Sequence, residues 1–311
     1  MSDFEALPTP ILHSISAEDG WLLRVWDFTP AHRRPTVGVV VVGHAMMADS
    51  RTMCRPDRPT IAAVLVAAGF RVLVPDLRGH GESGPTPRQG GDWDLDALVR
   101  DVGHYVDLAA ALEPEQPVAL LGHSVFAYAA LGWLGQQSQS TVRAIVAMSC
   151  SVWNKRFEPS RWRWWLKRLV IWPLVLICEL VGYVPARRLR IGSADEARSF
   201  WRQFHGFMRR DRWDSQDGTV DYFANLEHIH APMLHVMSEG DLLYARPAAA
   251  VRLSAGIRQR ELLVLGRDDA PGELARLRPN HMGMVTDPKT KLAWHWVAGW
   301  LRRSLGTAGL L

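Results

Sequence analysis

Cysteine is scarce in this chain: Cys54, Cys150 and Cys178 are the only three, odd in number and far apart. That argues against a disulfide framework or a cysteine-rich zinc site and for free thiols in a reducing, cytoplasmic setting. Long apolar runs are missing too. The longest candidate, residues 169–178, contains Pro173 and stops at Glu179, too short to cross a bilayer. The opening Met-Ser-Asp-Phe-Glu carries neither the basic nor the apolar stretch of a secretory signal, so none is expected. Internal repeats, low-complexity tracts and long polar segments are also missing, which argues against extended disorder.

What is present suits a sizeable globular core: 311 residues, 48% apolar and 22% charged. The net charge of +4 is unevenly spread. Residues 151–212 hold 14 Lys and Arg against 5 Asp and Glu, a net of +9, and the remainder, with 22 basic and 27 acidic residues, stands at −5. One segment carries the positive charge, which argues against a uniformly basic nucleic-acid binder and for a single cationic surface.

The pattern alternates strands and helices. Residues 11–16 and 21–28 read as an opening hairpin turned at Asp19-Gly20. Residues 37–42 form a valine run interrupted only by Gly38, the mark of a strand buried on both faces, and residues 70–74 read as another buried strand. Residues 60–68 read as a helix ended by Gly69, and 95–112 carry apolar residues at helical spacing. Strand, helix and strand follow at 117–121, 125–134 and 142–148. Repeated βαβ units predict an α/β protein with a mostly parallel, doubly wound sheet. From Ser151 to about Tyr222 the alternation gives way to a Trp- and Arg-rich, mostly helical pattern. It resumes with a strand at 232–237, a helix at 247–254, a strand at 261–265 and a closing helix at 289–305. The domain reading is a core in two pieces, 1–150 and 226–311, with a helical cap inserted over 151–225.

Five stretches bear chemistry. In Gly122-His123-Ser124-Val125-Phe126 a buried strand runs straight into a helix with Ser at the junction, the form of a nucleophile elbow. Its hydroxyl would stand clear of the sheet, with the helix's first N–H groups aimed at a developing oxyanion. Strand and helix pass closely there, so small residues are wanted on both sides; Gly122 fits and Phe126 does not. Taken alone, the stretch also fits Ser as an ordinary N-cap. Gly43-His44-Ala45-Met46-Met47 follows the strand at 37–42 and would bring the Met46 N–H beside that of Val125. Asp76-Leu77-Arg78-Gly79-His80-Gly81-Glu82-Ser83 reads as a Gly-rich turn whose Asp and Arg brace neighbouring loops, with His80 structural. Asp241 lies just beyond a late strand, where open α/β sheets place function; a plain turn Asp after Gly240 is the alternative, and Glu239 the competing acid. His281, between Pro279 and Gly283 ahead of the last helix, is poorly explained as packing. The order Ser124, Asp241, His281 is the chain order of the Ser–Asp–His arrangement on this architecture.

Two other features admit bland readings. His228, His230 and His235 suggest a metal site, since alternating residues of an extended segment share a side, but no carboxylate or Cys completes a set and no metal is expected. Arg161-Trp162-Arg163-Trp164-Trp165-Leu166-Lys167-Arg168 reads either as an interfacial helix or, the favoured reading, as Trp residues packing the cap onto the core with solvated Arg.

On Gly43-His44-Ala45-Met46, Asp76 to Ser83, Gly122-His123-Ser124-Val125 and the contexts of Asp241 and His281, the chain resembles the α/β-hydrolase superfamily over nearly its whole length. Within it, the chain looks like the capped esterase, lipase and serine-peptidase branch. Ser at position 124 separates it from dehalogenases and epoxide hydrolases, whose nucleophile is Asp. Phe126 stands where the family usually carries Gly, a departure that bears on elbow packing and on the width of the acyl pocket. The resemblance implies ester hydrolysis through an acyl-enzyme, with Ser124 as nucleophile, His281 as general base, Asp241 as the acid that orients it, and the backbone N–H groups of Met46 and Val125 as oxyanion donors. It calls for no cofactor. An acyltransferase with the same residues, or a non-catalytic ligand-binding protein on the same fold, are the alternatives. The expected partner is a small acyl substrate, anionic or lipid-like, with peripheral membrane contact through the cap and no nucleic acid.

Overall fold

The computed structural model describes residues 6–30 and 36–306; the opening pentapeptide, read above as carrying no signal, lies outside them. The chain forms β1 (Ile11–Ser16), β2 (Leu22–Phe28), β3 (Val39–Gly43), α1 (Ile61–Ala67), β4 (Arg71–Asp76), α2 (Leu95–Leu112), β5 (Val118–His123), α3 (Val125–Leu134) and β6 (Val142–Met148). It continues through α4 (Arg161–Val181), β7 (Tyr183–Val184), α5 (Ala186–Leu189), β8 (Glu196–Ala197) and α6 (Arg198–Arg210). It then returns with β9 (Met233–Ser238), α7 (Pro247–Leu253), β10 (Arg260–Leu265), α8 (Gly283–Thr286) and α9 (Lys291–Gly306).

Eight strands make one sheet in the order β1-β2-β4-β3-β5-β6-β9-β10. The β1–β2 hairpin joins antiparallel, and β4, β3, β5, β6, β9 and β10 run parallel. The side-chain period of two divides the core between the faces. Val118 and Leu120 of β5 pack with residues of α2 and α3, while Ala119 and Leu121 pack with α1 and α9. Both faces are covered, which is why the valines of β3 and residues 118–121 of β5 are all apolar. This is the mostly parallel, doubly wound α/β sheet that the alternation of elements predicts.

The sheet passes directly from β6 to its neighbour β9, so α4 to α6 form an insertion at the carboxyl edge of the strands. Here the tryptophan expectation is corrected. Trp164 is buried, but Trp162 and Trp165 are each 63% exposed. At about 100° per residue, Trp162 and Trp165 fall on the side of α4 away from Trp164, so one helix cannot turn all three inward.

Candidate active site

Ser124 sits where β5 ends and α3 begins, at φ +54° and ψ −112°. A positive φ on a non-glycine residue costs on the order of 1–3 kcal/mol and persists only where the surroundings impose it. They do so here: the Ser124 N–H donates to the Met148 carbonyl at 3.0 Å, and its carbonyl accepts from Tyr128 N–H at 3.2 Å. The close approach needed by the turn is met by Gly122, where an added Cβ would lie 2.5 Å from the Ala127 nitrogen. The small residue opposite Gly122 is therefore Ala127, not residue 126. Phe126 points elsewhere, fully buried, with its ring packed so tightly over Gly43 that a methyl group there would stand inside the ring. It is absent from the wall of the cavity beside Ser124, so it does not narrow that space.

His281 lies in a loop tied down on several sides. Ser238 Oγ donates to the Pro279 carbonyl at 2.7 Å, and the Asn280 side chain accepts from Gly283 N–H at 2.8 Å. His123 Nε2 is 3.0 Å from the His281 carbonyl. A carbonyl can only accept, so His123 is neutral with its proton on Nε2; burial, then the neighbouring His281, lowers its pKa to about 3. The His281 ring meets Asp241 through Nδ1 and Oδ2 at 2.6 Å, which leaves Nε2 for chemistry. Burial alone would raise the Asp241 pKa. The hydrogen bond and charge of His281, with the N–H groups of Ala245 and Tyr244, outweigh it and hold the carboxyl below its ordinary value. Glu239 is not in this pair: its N–H bonds the Leu265 carbonyl and its charge is felt by Arg267.

The loop after β3 carries Met46 and Met47. His44 Nε2 accepts from Leu77 N–H at 3.0 Å, so its Nδ1–H donates to the Ala45 carbonyl at 2.8 Å. Burial, then His80, lowers the His44 pKa to about 4, keeping it neutral. Met47 is held at φ +54° by the insertion: its N–H donates to Glu196 Oε2 at 3.0 Å, and its carbonyl accepts from the N–H groups of Ser193 and Ala194 at 2.8 and 3.2 Å. The Gly-rich turn acts as its sequence suggests. Asp76 accepts from Ser50 and Glu82 N–H, and Arg78 forks onto Asp101 while also reaching Asp19. His80 Nδ1 bonds the Arg78 carbonyl, with Nε2 3.4 Å from Glu196.

Ser124, His281 and Met46 border one cavity of about 330 Å³. Val125 is the first residue of α3, directly after Ser124. The far walls come from the insertion, notably Ile171 and Leu174 of α4 and Trp201 and Phe204 of α6. Among the described residues, no Asp, Glu, Lys or Arg lines it. Asp241 does not line the cavity and meets it through its bond to His281. The tyrosines flanking the site escape sequence reasoning: the Tyr244 ring lies 4.8 Å from that of His281, and Tyr128 lines the cavity while its hydroxyl donates to the Ser151 carbonyl at 2.6 Å. Glu196 and His123 escape it as well, because nothing near them in sequence marks their distant partners.

The histidines considered for metal do not gather. His235 is buried, its ring nitrogens bonded to Ser254 Oγ and the Cys150 carbonyl. His228 ends a 3₁₀ helix, not an extended segment, and lies beside Glu227, so the same-side argument does not apply to it.

A family model described as serine aminopeptidase, S33, matches residues 34–196. No curated protein matches the sequence. Among solved structures, the chain is similar to Est1E from Butyrivibrio proteoclasticus, determined with ferulic acid bound, at TM-score 0.63 and 15% identity over 94% of this chain and 99% of that one. It is also similar to the Pyrococcus furiosus esterase Pf2001, at TM-score 0.60 and 16% identity over 98% and 99% of the two chains. A thermophilic esterase from Thermogutta terrifontis, with malate bound, gives TM-score 0.60 and 17% identity over 96% and 100%.

Proposed function

Because the chain belongs to the serine aminopeptidase S33 family of α/β-hydrolases, we propose that it is a serine hydrolase that cleaves an uncharged carboxylic ester through an acyl-enzyme. The observation that carries this reading is the 2.6 Å His281–Asp241 bond behind a cavity that Ser124 and His281 share. Ser124 Oγ attacks the ester carbonyl carbon while its proton passes to His281 Nε2. Asp241 holds the imidazole tautomer and stabilises the imidazolium. The N–H groups of Met46 and Val125 take the oxyanion, helped by the N-terminus of α3. The tetrahedral intermediate collapses, the bond to the alcohol oxygen breaks, and His281 gives its proton to the leaving alcohol. Water, activated by the same imidazole, then releases the acid. Residues 151–225 serve as the cap that closes the pocket.

An ester is favoured over a peptide with a free amino terminus by the cavity lining. An aminopeptidase needs a carboxylate to meet the substrate's ammonium group, and no Asp or Glu among the described residues lines this space. No Lys or Arg among the described residues lines it either, so the positive side chains of the insertion are not part of the cavity wall. The test is labelling with a fluorophosphonate, together with turnover of p-nitrophenyl esters from acetate to palmitate and of aminoacyl p-nitroanilides. The expected result is a single label at Ser124, lost in Ser124→Ala, with hydrolysis of esters and not of anilides. Absence of label, or label elsewhere, would overturn the proposal.

A further inference from the structure

The outward face of α4 carries Trp162, Trp165, Leu169, Trp172, Leu176 and Leu180, spaced three or four apart and each 61% to 78% exposed. They form one stripe about 27 Å long at 1.5 Å per residue. Globular proteins do not leave such a stripe to water without a use for it. Nothing about catalysis accounts for it, since these six side chains are absent from the cavity beside Ser124.

The charges beside the stripe indicate what covers it. Arg163 lies over the Trp162 ring at 5.1 Å and Arg168 over the Trp165 ring at 4.8 Å, so guanidinium groups are held level with the indoles. The helix has one carboxylate, Glu179, and Arg198 and Arg202 occupy it. A second cationic feature adjoins the stripe. A cleft of about 510 Å³ between α4 and α6 is lined by Lys155, Arg168, His205 and Arg209, with Asp211 the one acid and Trp172 at its edge. Indoles and leucines flanked by arginines match the boundary between acyl chains and phosphate headgroups. We infer that this face of α4 docks on a membrane surface bearing anionic phospholipid, with the Trp and Leu side chains below the headgroups and the Arg side chains among the phosphates. A second copy of the chain fits less well: a two-fold contact through α4 would set the Arg rows of two +9 segments against each other. The helix lies on the surface and does not cross it, as no helix among the described residues is long and apolar enough to span a membrane.

The inference does not depend on the hydrolase proposal, because binding is read without turnover. The test is co-sedimentation of the full chain with vesicles of phosphatidylcholine containing phosphatidylserine, and of phosphatidylcholine alone, at low and high salt. Partitioning onto the anionic vesicles should exceed that onto neutral ones by at least about tenfold at low salt, and should fall as salt rises. Trp165→Ser with Trp172→Ser, and separately Arg161→Gln with Arg163→Gln and Arg168→Gln, should each weaken binding by a similar factor with an unchanged thermal unfolding midpoint. If either set fails to fold, the anionic-to-neutral ratio of the wild type still decides. Absence of binding to anionic vesicles, equal binding to both kinds, or binding unchanged in both folded variants would overturn the inference. So would a stable dimer that the Trp substitutions dissociate and that ignores vesicles.

Discussion

Replacing Gly43 by Ala tests how this elbow tolerates Phe126. The Phe126 ring is fully buried, lies over Gly43 at the end of β3, and has Tyr105 at a centroid distance of 6.3 Å on another side. A methyl at position 43 would occupy the volume of the ring, so ring or strand must move. Overpacking of this kind costs about 1–3 kcal/mol, and the upper part of that range is expected because neither neighbour has free space. Phe126→Ala should cost about 3–5 kcal/mol, from lost transfer energy and the cavity left behind. In the double variant the new methyl enters the space that the ring has vacated, so the strain disappears. The double should therefore cost no more than Phe126→Ala alone, a coupling of about 1–3 kcal/mol. Urea unfolding at equilibrium, followed by circular dichroism on the four proteins, gives the cycle. If the two single effects add within about 0.5 kcal/mol, Gly43 is not there to admit the ring and the account of the elbow fails.

Ser124→Ala should lower kcat on a p-nitrophenyl ester by about three orders of magnitude or more while leaving the circular dichroism spectrum unchanged; retention of a tenth of the activity would sink the nucleophile. Asp241→Asn should cost on the order of 10⁴ in kcat, as tautomer loss does in triad enzymes, whereas Glu239→Gln should leave kcat near wild type; the reverse order would move the acid to Glu239. Burial works against a charged His80, yet the Glu196 carboxylate beside it holds its pKa above the ordinary 6.5. A raised folded value gives stability that is full below 6.5 and drains away as pH rises through the folded pKa. The Tm of the wild type should thus fall, relative to Glu196→Gln, across the pH range just above 6.5, and parallel Tm curves would dismiss the contact.

Buried parallel strands advertise themselves as short, mostly apolar runs, and helices by the spacing and length of theirs. That is why β6, α2 and α3 run over the residues that the pattern assigns to them. The candidate site residues are marked by short local signals, Ser124 and Asp241 beyond strand ends and His281 in a loop between Pro279 and Gly283. The groups that hold them are not, since their partners are distant in sequence. His44 bonds Leu77 across 33 residues, Glu196 bonds Met47 across 149, and His123 bonds His281 across 158. No window of sequence contains both members of such a pair. The helical stripe on α4 was illegible for another reason. A helix whose apolar residues lie on two sides gives the same composition whichever side is buried, and only packing tells Trp164 from Trp162 and Trp165.

Of the five non-glycine residues with positive φ among those described, Arg190 and Asp211 end α5 and α6, and the other three stand beyond the carboxyl ends of adjacent strands of the sheet: Met47 after β3, Ser124 directly after β5 and Ser149 directly after β6. Each is held by bonds to a neighbouring element: Ser124 N–H to Met148, Ser149 N–H to Val236, and Met47 to Ser193, Ala194 and Glu196. The first two anchors belong to the sheet itself and would survive without the insertion. The third does not, because the groups that bond the Met47 N–H and carbonyl belong to residues 193–196. Those residues also reach the loop's far end, where Ser193 Oγ donates to Asp49 at 3.2 Å. A conformation costing on the order of 1–3 kcal/mol relaxes once its restraints are gone. Cutting out the insertion would therefore strip one wall from the cavity and also release the loop that carries Met46, so the segment is a part of the site and not a detachable cover over it.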